Sequence, residues 1–155
     1  MSTHRERIQE AREAERRVLA ANNARAALAH ERKALAVLAA VEAGEDRTAL
    51  GLNPQAVDEL VEEARRLAPV PPGRLGRSPR HVIDRYAAGE ISRDEMIQAL
   101  STWPYRERGP IVEGMHDDLA VVEEGTFDEV QIARDQRYID DEAFYTIVRH
   151  LAAQR

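Results

Sequence analysis

Two stretches of this chain share one pattern. Tyr86-Ala-Ala-Gly-Glu-Ile-Ser-Arg-Asp-Glu-Met-Ile-Gln-Ala-Leu100 reads as the end of one helix, a tight turn and the start of the next. Forty-eight positions on, Arg134-Asp-Gln-Arg-Tyr-Ile-Asp-Asp-Glu-Ala-Phe-Tyr-Thr-Ile-Val148 repeats it in degraded form. Ile91 answers Ile139, Ser92 answers Asp140, Asp94 answers Glu142, Met96 answers Phe144 and Leu100 answers Val148. Gly89 can take the left-handed conformation that ends a helix. Ser92 can cap the helix that follows, with Glu95 three residues later closing a capping box. Such a pair of turns constrains residues 81–155 to helices joined as hairpins.

The rest of the chain points the same way. Alanine supplies much of the 43% apolar content, only 5% of residues are aromatic and 32% are charged, a balance that favours long solvated helices. No alternating strand pattern is longer than three or four residues. The expected fold is therefore all-α. Residues 1–46 form a long helix for oligomerisation or docking. Residues 47–68 form a short helical element, 69–80 a basic Pro/Gly/Arg linker, and 81–155 an acidic helical domain of two related hairpins.

In the first segment Ala14, Ala21, Leu28 and Leu35 recur every seven residues, with Ile8, Ala11, Val18 and Leu38 beside them. That narrow stripe predicts packing against one other helix, as in a coiled coil. Asn22-Asn23 marks a weak point where the helix could break. Gly44 ends it, and Asn53-Pro54 starts the next by the cap-plus-proline rule. Val57, Leu60, Val61 and Ala64 share one face there. Ser78-Pro79 restarts a helix in the same way, and Trp103-Pro104-Tyr105 stops the one that begins at Ser92. Thr126-Phe-Asp-Glu129 predicts another capping box, and residues 111–123 a short helix.

Charge is unevenly spread. Residues 1–80 hold 14 Lys and Arg against 12 Asp and Glu, while 81–155 hold 8 against 16. An acidic half prefers a basic partner, and Asp117, Asp118, Glu123, Glu124, Asp128 and Glu129 concentrate that charge. In the linker, Arg74, Arg77 and Arg80 are the residues expected to carry any DNA contact. Glu113, His116, Asp117 and Asp118 have the chemistry of a divalent-ion site, but adjacent aspartates on a helix point apart, and a solvated acidic face is the expectation. With no cysteine there is neither disulfide nor thiolate site. The five histidines are scattered, and no phosphate-cradling loop, His-Glu-x-x-His or nucleophile elbow occurs. No catalytic residue, metal or cofactor is expected. The N-terminal residues have no apolar run behind them, and no stretch approaches membrane-spanning length, so a cytoplasmic chain is expected.

Two resemblances attach to these motifs. Leu50-Gly-Leu-Asn-Pro-Gln-Ala-Val57 resembles the turn and second helix of bacterial DNA-binding helix-turn-helix motifs, departing from them in a short first helix and in Asp58, Glu59, Glu62 and Glu63 on the second. Tyr86–Glu95 resembles the small helical antitoxins that neutralise Fic-type toxins, and short bacterial helical hairpins with a Gly-x-Ile-Ser/Thr-x-x-Glu turn. The Fic antitoxins inhibit through Ser/Thr-x-x-x-Glu-Gly/Asn. Here only Ser2 has a glutamate four residues on, and Arg7 follows it, so that inhibitory segment is absent. The C-terminal half also looks like uncharacterised actinobacterial and actinophage helical proteins. The likeness implies a non-enzymatic, antitoxin-like or regulatory protein of a toxin–antitoxin system, its acidic half gripping a basic protein partner. The alternative is a phage or cell-complex assembly protein that docks through its long N-terminal helix. A homo-oligomer fits either; DNA is the weaker expectation as a partner.

Overall fold

The computed structural model describes residues 1–107 and 123–155. Among these residues there are six α-helices and no strand: α1 (His4–Glu42), α2 (Pro54–Arg66), α3 (Pro79–Ala87), α4 (Arg93–Ser101), α5 (Asp128–Asp135) and α6 (Asp141–Ala153). A 3-10 turn, Arg47–Leu50, precedes α2. The all-α expectation holds.

The helices pair into three hairpins, and the first helix of each ends in the same way. Gly44, Gly89 and Arg137 all adopt positive φ, at 76°, 83° and 65°. Each donates its N–H to the carbonyl three residues back, and the next residue donates five back. The bonds are Gly44 to Val41 (3.1 Å) and Glu45 to Ala40 (3.1 Å), then Gly89 to Tyr86 (3.0 Å) and Glu90 to Arg85 (2.8 Å). The third pair is Arg137 to Arg134 (3.0 Å) and Tyr138 to Ala133 (2.9 Å). This Schellman closure satisfies carbonyls that a helix end leaves without partners.

The two turns matched in the sequence thus close through the same pair of backbone bonds, though only the first adds a reciprocal capping-box bond, from Ser92 N to Glu95. The Ser92 hydroxyl accepts from Glu95 N at 3.1 Å, and the Asp140 carboxylate accepts from Ala143 N at 2.7 Å. Ile91 and Ile139 are both buried beneath the turns, as are Met96 and Phe144 on the helices that follow.

Stacking joins the hairpins. α1 packs on α3, α3 on α5, and α4 on α6, while α2 packs on α1. Adjacent helical hairpins buried against one another are the arrangement of helical repeats. Among the described residues two separate cores result. The larger gathers Val82, Ile83, Met96, Leu100, Val130 and Ile147 among others from α3 to α6, with Trp103 and Tyr105 packed on it. The smaller joins Ala34 and Val37 of α1 to Val57, Leu60, Val61 and Ala64 of α2.

Three expectations are corrected. α1 is unbroken through Asn22-Asn23. Its buried residues are Ala20, Ala24, Leu28, Ala34 and Val37, whereas Ala14 is exposed, Leu35 is 40% exposed and Ala21 is half-buried. A straight helix has 3.6 residues per turn, so a strict seven-residue stripe drifts around it. α1 meets two different helices on two faces rather than one partner along a seam, so the buried set rotates with it. At α5 the capping box does not form: the helix starts at Asp128 with no side-chain cap, and the Thr126 hydroxyl donates to Glu123 O at 2.7 Å. The short helix expected over 111–123 lies outside the described residues except for Glu123.

Candidate functional site: the arm of helix 1 and the groove beside it

α1 begins as a firmly capped helix. Thr3 Oγ1 accepts from Glu6 N at 3.2 Å, and Glu6 Oε2 accepts from Thr3 N at 2.6 Å. From His4 to Leu19 every residue is exposed except Glu13, which is half-buried. This arm is about 24 Å long at 1.5 Å per residue. It carries Ile8, Val18 and Leu19 at 57%, 59% and 54% exposure, the largest apolar side chains of the arm and all facing solvent. At about 100° per residue these three and Ala11 fall in one sector of the helix, which also holds His4 and Glu15 and is bordered by Arg5, Arg7 and Arg12.

The arm leaves the body over the second turn, where a groove of about 710 Å³ opens. Ala20 and Ala21 of α1 line it, as do Tyr86 and Ala87 at the end of α3. Its rim carries Glu13, Asp140, Asp141 and Glu142 against two arginines, Arg17 and Arg137. Arg137 builds the wall: its Nε lies 3.1 Å from Glu13 Oε2 and its Nη1 lies 3.5 Å from Asp141 Oδ1. Asp140 caps α6 and also accepts from Arg93 Nη1 at 2.8 Å. Burial pushes the Asp140 carboxyl up, but the Ala143 N–H and Arg93 outweigh it and hold the group below its ordinary range. Asp140 is therefore held in its charged form.

Above the groove, α1 is fixed to α3 by a polar cluster. Arg77 donates from Nη1 and Nη2 to the two carboxylate oxygens of Glu31, and its Nε donates to Ala68 O at 3.2 Å. The Arg77 side chain is 10% exposed. His81 Nδ1 accepts from Arg77 N at 3.1 Å, which turns Nε2 toward Glu31 Oε1 at 3.7 Å. Arg32 and Arg85 meet on Glu90, at 2.6 and 3.3 Å.

Each of the arginines expected to contact DNA meets a group of the fold, although Arg74 is exposed and Arg80 only half-buried. Arg77 is held as described. Arg80 Nε donates to Asp84 at 3.1 Å and its Nη1 to Gln136 Oε1 at 3.1 Å, with the guanidinium 4.0 Å from the Tyr138 ring centroid. Arg74 lies 4.8 Å over Trp103. The span read as a linker is a structured connection that staples α1, α3 and α5. The segment that resembles a helix-turn-helix departs from one in its first helix. The element before α2 is a four-residue 3-10 turn, and α2 spends its apolar face on α1.

The acidic set divides. Asp117 and Asp118 lie outside the described residues, as do Glu113 and His116. Glu123 and Glu124 are exposed and Asp128 is half-buried. Glu129 is 8% exposed and accepts from Gly125 N at 2.9 Å. Burial raises its pKa, against the pull of the Gly125 N–H. Glu129 is thus a structural acceptor rather than part of an open acidic face. Of the stripe residues, Leu28 is buried in the fold, while Ala14 and Leu35 are not.

Among the described residues, Ser101 Oγ lies 3.1 Å from His150 Nδ1, a serine–histidine contact. Ser101 is 3% exposed, and the contact seals the seam between α4 and α6.

Sequence reading passed over Glu13, Glu31, His81 and Arg137 as site residues. For Arg137 a signal existed, since it falls opposite Gly89 in the repeat. For the others the partner is distant, 46 positions away for Glu31 and Arg77. No family model matches this chain, and no curated protein or solved structure matches it significantly.

Proposed function

We propose that this chain is a non-enzymatic protein-binding protein, an adapter or assembly component that docks through the arm of α1. The observation that carries this reading is the exposure of Ile8, Val18 and Leu19 on one sector of a capped helix that projects from the body. Burying each such side chain is worth about 1.5–3 kcal/mol. A helix laid in a groove through apolar anchors at helical spacing is a recurring mode of protein recognition. The acidic half supports a contact surface less well, because Glu129 is buried and Asp140 is engaged in capping and pairing. The likeness to Fic antitoxins enters through Gly89–Glu95, whose residues serve the turn itself.

The test is capture of partners from the native host on immobilised full-length chain. Ile8→Glu with Val18→Glu should abolish specific capture while leaving the circular dichroism unchanged, since both positions are exposed. Glu124→Gln should leave capture intact. Equal capture by the arm variant would refute docking through α1.

A further inference from the structure

Among the described residues, none belongs to both cores: one core lies between α1 and α2, the other within α3 to α6. What joins the two parts is the packing of α1 on α3. Glu31 marks the side of α1 turned to α3, and Ala20, Ala24 and Leu28 lie on that side at helical spacing. All three are buried and belong to neither core, and only Leu28 is large. So thin an apolar seam depends on its polar ties. Arg32 to Glu90 and Arg137 to Glu13 are two of them. The most enclosed is Arg77, which stands just before α3 and holds both Glu31 of α1 and the Ala68 carbonyl just past α2.

His81 controls that tie. Its Nδ1 accepts the Arg77 backbone N–H at 3.1 Å, so Nδ1 carries no proton and Nε2 carries one. The connection lies close on the ring: a Cβ at Gly76 would stand 3.1 Å from Nδ1 and 2.9 Å from Val82. A second proton on the ring goes to Nδ1, where it faces the Arg77 N–H, one donor against another, and breaks the bond. We propose that the contact of the α1–α2 hairpin with the α3–α6 body is a proton-operated joint: protonation of His81 Nδ1 ejects the Arg77 N–H, loosens the connection before α3 and lets the hairpin move away. This joint is independent of what the arm of α1 binds.

The surroundings of the ring set the direction. His81 is the third residue of α3, in the turn whose free N–H groups disfavour added positive charge. Burial opposes a proton on the ring most, and Arg77 of the connection and Arg85 of α3 oppose it too. Glu31 of α1 and Glu90 of the turn after α3 favour one. Yet Glu31 is already bonded twice to Arg77, and Glu90 to Arg32 and Arg85. Arg32 of α1 and Asp84 of α3 act in turn on Glu31. The closed joint therefore holds His81 below the ordinary 6.5, and acid favours the open one. The window lies between that value and 4.5, the ordinary value of Glu31.

Spin labels on the full chain test this, since it has no cysteine of its own. Arg65→Cys on α2 and Ala152→Cys on α6, both exposed, put one label on each part. A single narrow distance is expected at neutral pH. A second, separate population should grow as pH falls from 6.5 to 4.5, with the same midpoint as the His81 ring resonances followed by NMR. His81→Asn sets a carbonyl oxygen near the Nδ1 position, where it can accept the same N–H but does not titrate. That variant should keep the narrow distance throughout the window. If it does not fold, the agreement or disagreement of the two midpoints in the native sequence still decides. A distance constant across the window would overturn the proposal, as would a His81 midpoint at or above 6.5. So would opening that persists in His81→Asn, which would assign the response to a carboxylate such as Asp84 or Glu129.

Discussion

At the scale of residues, Arg137 is the position where backbone and side chain disagree. Left-handed geometry costs an L-residue about 1–2 kcal/mol, and glycine escapes that cost. Arg137→Gly and Arg137→Ala both delete the contacts to Glu13 and Asp141, so comparing them isolates the backbone. The glycine variant is expected to be more stable than the alanine variant by about 1 kcal/mol in urea unfolding. The mirror experiment is Gly89→Ala. A Cβ at Gly89 would meet nothing within 4 Å, so its cost of about 1 kcal/mol would also be backbone strain. Equal stability of the two Arg137 variants would show that the chain relaxes out of positive φ.

At the scale of elements, the docking of α1 on α3 turns on Glu31, Arg77 and His81. Burial pushes the Glu31 carboxyl up, but Arg77, His81 and Arg32 outweigh it and hold its pKa below the ordinary 4.5. Its stabilising effect is present above that ordinary value and is lost as pH falls through the lower folded one. Burial, and then the Arg77 charge, hold His81 below the ordinary 6.5, partly offset by Glu31. A histidine favoured neutral in the fold stabilises above its unfolded pKa, and this contribution is lost as pH falls through its folded pKa. Both groups therefore weaken the α1–α3 contact on acidification, His81 beginning below 6.5 and Glu31 below 4.5. His81→Gln should remove the first phase of an acid titration followed by far-UV circular dichroism and leave the second. Glu31→Gln leaves Arg77 enclosed without its carboxylate and should cost about 3 kcal/mol in chemical denaturation. A loss near zero would mean that Arg77 finds water once released.

At the scale of the whole molecule, the two cores predict unequal stability. α2 is held to the body by the small core it shares with α1, whereas α3 to α6 share a larger one. Local opening follows buried apolar contact, so α2 should open first. Native-state hydrogen exchange is expected to show α2 amides exchanging faster than those of α3, α4 and α6. Uniform exchange across all four would mean that the hairpins unfold as one unit.

Much of the architecture was written locally. The caps at Asn53, Ser78, Ser92 and Asp140 place helix starts because the donor and acceptor lie three residues apart. Gly44 and Gly89 place helix ends because they can adopt positive φ. The face of α2 was legible because a single 3.6-residue period covers its whole length. Contacts between distant elements were not legible. The linker arginines found partners in Glu31, Gln136 and the rings of Trp103 and Tyr138 only when the fold brought these to them. Glu129 looked solvated until its carboxylate turned toward Gly125 in a closed interior. The seven-residue stripe on α1 looked like a seam until α2 and α3 took different faces. Local hydrogen-bond geometry is set by neighbours in sequence, so the sequence by itself determined the helices and turns. Burial and charge pairing depend on which elements meet, and only the tertiary structure decided which side chains hold the fold and which remain for a partner.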